Sequence, residues 1–240
     1  MKRSYSFLII SFFVLAFLAS GCSKDDSNPS ATKEQSFSNT PPAVPDVNLN
    51  GPASNSSDPA LQLIKGYFSG LSLLRNYTDM FRNVEATYLD STWIRKYVSG
   101  SITAILTTTR LADGSYAWKL TINGTKDSVN YDNWLALQGT SSADGKTGTW
   151  SLFKENTNLL TGDYSWQKND DGSLTATLRE YYNGSVRTRI EASENTDKSG
   201  QVLLYFGSTL SYKAMWKPDG SGEWWQYDSS GNIRHQGTWS

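Results

Sequence analysis

Residues 91–240 read as a mainly β domain: an antiparallel meander of about ten or eleven strands, preceded by one long or two shorter α-helices in residues 58–90. Three observations carry this. Apolar residues alternate with polar ones at period two through most of the second half of the chain. Turn dipeptides punctuate it at Asp113-Gly114, Asn123-Gly124, Asp144-Gly145, Asp171-Gly172, Asn183-Gly184, Ser199-Gly200, Asp219-Gly220 and Ser230-Gly231. Proline is sharply segregated, with six of the chain's seven before residue 60, which marks a composition shift there.

In chain order, the first element is an address. Lys2 and Arg3 precede an apolar run from Phe7 to Leu18, which ends in Ala19-Ser20-Gly21-Cys22. The run is too short to span a bilayer and has the length of a signal h-region. Small residues before the chain's single Cys resemble the lipobox of bacterial lipoproteins. The resemblance implies a signal peptide over 1–21, cleavage before Cys22 and acylation of Cys22, palmitate included. Chains of that kind anchor stably, at about 0.8 kcal/mol per buried CH₂. Cys22-Ser23-Lys24-Asp25-Asp26 is similar to the export signal of surface lipoproteins of the Bacteroidota. That implies a lipid-anchored protein of the outer membrane, exposed at the cell surface or otherwise facing the periplasm.

Residues 22–57 form the expected tether. They are rich in Ser, Asn, Pro, Asp and Thr, with too little apolar bulk to offset the entropy of ordering them. Ser57-Asp58-Pro59 then supplies a capping side chain followed by a proline whose missing N–H costs nothing at a helix start. Leu61, Ile64, Phe68, Leu71, Leu74, Tyr77, Phe81, Val84 and Tyr88 recur at steps of three and four, which predicts an amphipathic helix ending near Asp90. Gly66 and Gly70 mark the place for a break. The heptad is not sustained, so the stripe points to packing on the β domain and not to a coiled coil.

The strands follow. Tyr116, Trp118, Leu120 and Ile122 alternate with Ser115, Ala117, Lys119 and Thr121. The same pattern recurs at Leu174–Arg179, Val186–Glu191 and Leu210–Trp216. One apolar face and one wet face mark antiparallel sheet. A Gly-x-aromatic phrase opens several strands, at Gly114, Gly148, Gly162, Gly222 and Gly237. The glycines are read as turn exits and the rings two residues on as inward-facing. A meander this long is expected to curl and close, in a form similar to a lipocalin-like up-and-down barrel. An open curved sheet or a two-layer sandwich is the second expectation. A transmembrane barrel shows the same alternation, but the anchor and tether would then be redundant.

Composition narrows the chemistry. There are 22 cationic and 23 acidic residues, which excludes a nucleic-acid partner bound through surplus positive charge. One Cys and one His exclude a disulfide framework and Cys- or His-rich metal sites, so no metal and no cofactor is expected. His235 is the only imidazole, and no serine elbow lies near it. Glu155, Glu180, Glu191, Glu223 and Asp228 offer possible carboxylate pairs but no fixed spacing. The expected protein is therefore not an enzyme.

The nine tryptophans are the most informative residues. Trp118, Trp150, Trp166 and Trp216 are the candidates to line an interior cavity for a small apolar ligand. Trp224 and Trp225 are adjacent, so a strand sends them to opposite faces. Trp225 with Tyr227 is then the candidate outward surface, for a structural or adhesive protein that holds glycan or protein through exterior aromatics. Tyr181-Tyr182 makes a similar prediction.

Overall fold

The computed structural model describes residues 40–45, 47, 49–54 and 57–240. The signal peptide, Cys22 and the first part of the tether lie outside the described residues. The described chain carries one helix, α1 (Pro59–Asp79), and thirteen strands: β1 (Ala86–Leu89), β2 (Thr92–Ser99), β3 (Ile102–Arg110), β4 (Tyr116–Lys126), β5 (Val129–Ser141), β6 (Thr147–Phe153), β7 (Leu160–Lys168), β8 (Leu174–Tyr182), β9 (Ser185–Glu194), β10 (Gly200–Phe206), β11 (Thr209–Trp216), β12 (Gly222–Tyr227) and β13 (Ile233–Trp239).

All thirteen strands form one antiparallel sheet in strict sequence order. β1 and β13 do not pair, so the meander is open and the expected closed barrel is not formed. Several hairpin turns lie outside the dipeptide series, at Gly100 and Gly207 and at two sites without Gly. Asp90-Ser91 and Asp127-Ser128 hold both central residues at positive φ, the geometry of a type I′ hairpin. Asn123-Gly124 is not a turn. It lies inside β4 at a bulge against β5, and a Cβ on Gly124 would sit 1.8 Å from the Ser101 carbonyl oxygen. Ser199-Gly200 is also displaced: the turn is Asn195–Ser199, with Lys198 at positive φ.

Asp58 caps α1 as expected, its Oδ1 accepting from the Ala60 amide at 2.8 Å. The helix is single and unbroken at Gly66, and it stops at Asp79 instead of Asp90. Phe81 is fully buried in the turn beyond it, and Tyr88 belongs to β1. The period-3.6 stripe thus runs past the helix end. Burial of Phe81 satisfies the stripe without helical backbone.

α1 and the segment before it lie on the inner face of the sheet. Phe68 meets Trp216 of β11 edge-on at 5.4 Å, and Tyr67 approaches Tyr212 at 6.4 Å. Phe81 meets Tyr97 of β2 at 6.5 Å. Flat, β2 and β11 would stand about 43 Å apart at ~4.8 Å per strand. From Phe68 to its end at Asp79 the helix climbs only about 17 Å, so the sheet curls around the helix. Residues 40–45, 47 and 49–54, read as loose tether, form a seated strap instead. Arg95 Nη2 donates to the Pro42 carbonyl at 2.8 Å. The Asn50 amide donates to Glu194 at 2.8 Å, and Ser54 Oγ donates to the Ser240 carbonyl. Val44 and Leu49 are buried there.

The inner face alternates large and small residues across the strands. One row runs Trp118, Gly139, Trp150. A second runs Gly148, Trp166, Ala176, Ala192, Val202, Ala214, Trp224, Gly237. A third runs Gly200, Trp216, Gly222, Trp239. Each indole has a glycine opposite it. A Cβ on Gly148 would stand 2.3 Å from the Trp166 ring, one on Gly200 2.4 Å from Trp216, and one on Gly222 2.2 Å from Trp239. These three glycines are therefore not turn exits. They clear a place where the neighbouring strand's ring lies flat. Three of the rings then tie their N–H to a turn carbonyl at the same rim: Trp166 to Gly145, Trp216 to Lys198 and Trp239 to Gly220.

Candidate functional site

The four tryptophans expected to line a cavity are packed core. Trp118 and Trp150 are 2% exposed, Trp216 3% and Trp166 5%. Trp118, Trp150 and Trp166 form a continuous ring chain with centroids 5.9 Å apart at each step. The Trp118 indole N–H donates to Ser141 Oγ at 2.9 Å. Trp216 faces Phe68 of α1. These four rings are thus buried on the inner face and engaged with one another, with α1 or with a hydrogen-bond partner.

The outward candidates fare differently. The sheet register sends Trp224 inward, stacked on Tyr212 at 6.0 Å, and Trp225 outward opposite Lys213. Trp225 and Tyr227 are half-buried. One cross-sheet row shows what surrounds them: Thr109, Ala117, Thr140, Thr149, Ser165, Thr177, Glu191, Leu203, Lys213, Trp225, Gln236. This row is Thr/Ser, with Ala117, over β3–β8 and turns aliphatic and aromatic with Leu203 and Trp225 over β10–β12. Tyr205 and Leu203 on β10, Met215 on β11 and Trp225 on β12 form the patch. Met215 is exposed.

Cations cover these rings. Arg189 lies over Tyr205 at 3.9 Å and pairs with Glu191 at 3.0 Å, while Lys213 Nζ stands 5.2 Å from the Trp225 ring. Beside the patch, Arg179 pairs with Asp163 at 3.0 Å, and Tyr181 donates its hydroxyl to the same carboxylate. That hydrogen bond, with burial next, raises the Tyr181 pKa. Tyr182 is exposed at the strand end. Tyr205, Arg189 and Lys213 were not singled out from sequence. Their signal was the residue parity opposite Leu204 and Ala214, which sends them outward.

The remaining candidates lie on separate strands and turns, Glu180 on β8 and Glu223 on β12 among them. His235 is exposed on β13. Glu155 accepts from the Tyr131 hydroxyl, Glu191 is held by Arg189, and Asp228 accepts the Ser230 and Asn232 amides in its turn. Among the described residues no group of three or more His, Cys, Asp or Glu side chains is placed to hold a metal ion. No helix among the described residues is long and apolar enough to cross a membrane. Comparison with protein-family models and with curated proteins finds no match to this chain.

Proposed function

We propose that the chain is a lipid-anchored, non-catalytic surface protein, tethered to the outer membrane through Cys22, whose β domain holds glycan on its outer face. The observation that carries this reading is the change in outer-face chemistry across one sheet. The Thr/Ser part of that row carries no ring, whereas the half-buried rings of Tyr205, Trp225 and Tyr227 stand among Arg189, Glu191, Lys213 and Gln236. A sugar ring offers that pairing: C–H on one face, hydroxyls at the edge.

The test is a glycan array probed with the full-length chain in a zwitterionic, sugar-free detergent, with Trp225→Ala and Tyr205→Ala beside it. Saccharide binding that both variants weaken, at unchanged circular dichroism, supports the reading. Native mass spectra showing a retained apolar molecule, with no glycan bound, would overturn it and restore an interior ligand.

A further inference from the structure

β5 and β6 part company. Their ladder runs from Ser141↔Gly148 to Leu137↔Leu152 and stops, although β5 continues back to Val129 against β4. Beyond the parting, the two segments are tied where the Tyr131 hydroxyl donates to Glu155 and where Asn156 Nδ2 donates to the Asn130 carbonyl at 2.8 Å. Between the last ladder pair and that tie lies a cleft of about 360 Å³, lined by Asn130, Asp132, Asn133, Trp134, Leu135 and the turn residues Asn156, Thr157 and Asn158. The volume is in the range of small-ligand sites.

Two features distinguish it from an ordinary loop gap. The first is Trp134. Its side chain is 8% exposed and stacked on Tyr131 at 5.5 Å. Its indole N–H is buried with no hydrogen-bond partner. A buried donor left unpaired costs about 1–3 kcal/mol, and the other inward indoles named above that face a turn or a serine do find an acceptor. The second is the wall chemistry. Four carboxamides, each able to donate and accept, surround the space, with one carboxylate, Asp132, and no cation. Backbone is bent to place them: Asn133 and Asn156 hold positive φ, and the Asn123 carboxamide accepts the Asn133 amide at 2.8 Å.

We infer that this cleft is a binding site for a neutral saccharide unit. Hydroxyls both donate and accept, so they match carboxamides in either sense. The lack of a lining cation and the presence of Asp132 disfavour phosphate, sulfate or sialic acid. The inference takes its ligand class from the glycan reading above, but its residues are separate from Trp225 and Tyr205.

The experiment uses the full-length chain with ¹⁵N-indole tryptophan in a zwitterionic detergent. Nine indole resonances report, and Trp134→Phe assigns the one of interest. Cellobiose and N,N′-diacetylchitobiose are titrated to millimolar levels, with glucose 6-phosphate and sialyllactose as charged controls. The expected result is a shift of the Trp134 resonance with a neutral disaccharide, and affinity about fivefold to tenfold weaker in Asn158→Ala and Trp134→Phe. Asn158 is exposed, so its variant keeps the fold. Trp225→Ala should leave the Trp134 shift intact. No shift with either neutral sugar, or binding that only Trp225→Ala abolishes, would overturn the cleft assignment; the second result would leave the outer-face reading standing.

Discussion

Gly148→Ala is the sharpest test of how the inner face is built. Gly148 has no positive φ, so alanine fits its backbone and by unfolded-state entropy alone would stabilise by about 0.4–1 kcal/mol. The packing opposes this. The new Cβ falls 2.3 Å from two atoms of the Trp166 ring and 2.6 Å from the Thr140 carbonyl oxygen. Overpacking of that order costs about 1–3 kcal/mol. If the ring retreats, its hydrogen bond to the Gly145 carbonyl goes too, at about 1 kcal/mol. The net expectation is a loss of about 2–3 kcal/mol, or about 4–12 °C in Tm for a domain of this size. The assay is urea unfolding of wild type, Gly148→Ala, Trp166→Ala and the double variant. With the ring gone only the Thr140 contact remains, so the alanine should then cost about 1 kcal/mol, a coupling of about 1–2 kcal/mol. Gly237→Ala gives a graded control, since its Cβ would meet only Trp224 and no closer than 2.9 Å. A Gly148→Ala protein as stable as wild type would refute the reasoning that the glycines exist to seat the rings.

Other expectations follow from the same structure. Gly66→Ala should stabilise by up to about 1 kcal/mol, because Gly66 is exposed in α1 with nothing within 4 Å of a new Cβ; a fall in the urea midpoint would contradict an unbroken helix. Glu194→Ala removes the acceptor for both the Asn50 amide and its side chain. It should cost about 2 kcal/mol and open residues 40–54 to limited proteolysis before the sheet is cut. Asp113, Asp171, Asp197 and Asp219 are held below their ordinary 3.8 chiefly by the serine hydroxyl two residues on. Their folded pKa is depressed, so their contribution is present above pH 3.8 and lost as pH falls through the lower folded values. Acid titration of the unfolding midpoint should show this loss, and replacing all four by Asn should flatten it. At the other end, burial raises the Tyr67 pKa to about 12 and raises Tyr164 and Tyr212. Stability should therefore drop as pH climbs past 10, as the unfolded tyrosines ionise first.

Much of this architecture was legible in the residues alone. Period-two alternation put Trp118, Leu120, Ile122, Tyr212, Ala214 and Trp216 on the buried face, because strand geometry sends alternate side chains to opposite sides whatever the rest of the chain does. Asp58-Pro59 marked the helix start for an equally local reason. The adjacency of Trp224 and Trp225 was enough to send one ring outward. Strand number was underestimated where hairpins use Asp-Ser in place of Gly, since only backbone coordinates show a positive φ at an ordinary residue. The helix end was misplaced because Phe81 serves the core equally well from a turn.

What only the tertiary structure decided was what lies between elements distant in sequence. The Gly-x-Trp phrases looked like strand openings, yet their meaning is a contact between neighbouring strands, Gly148 under Trp166 and Gly222 under Trp239. Closure depends on whether strands at the two ends of the sheet meet, and local patterning carries no term for that. Whether the interior is hollow depends on where α1 and residues 40–54 come to rest, which long-range partners such as Glu194 and Arg95 determine. The parting of β5 from β6 belongs to the same class: it is a property of two chain segments failing to meet, and neither segment records it alone.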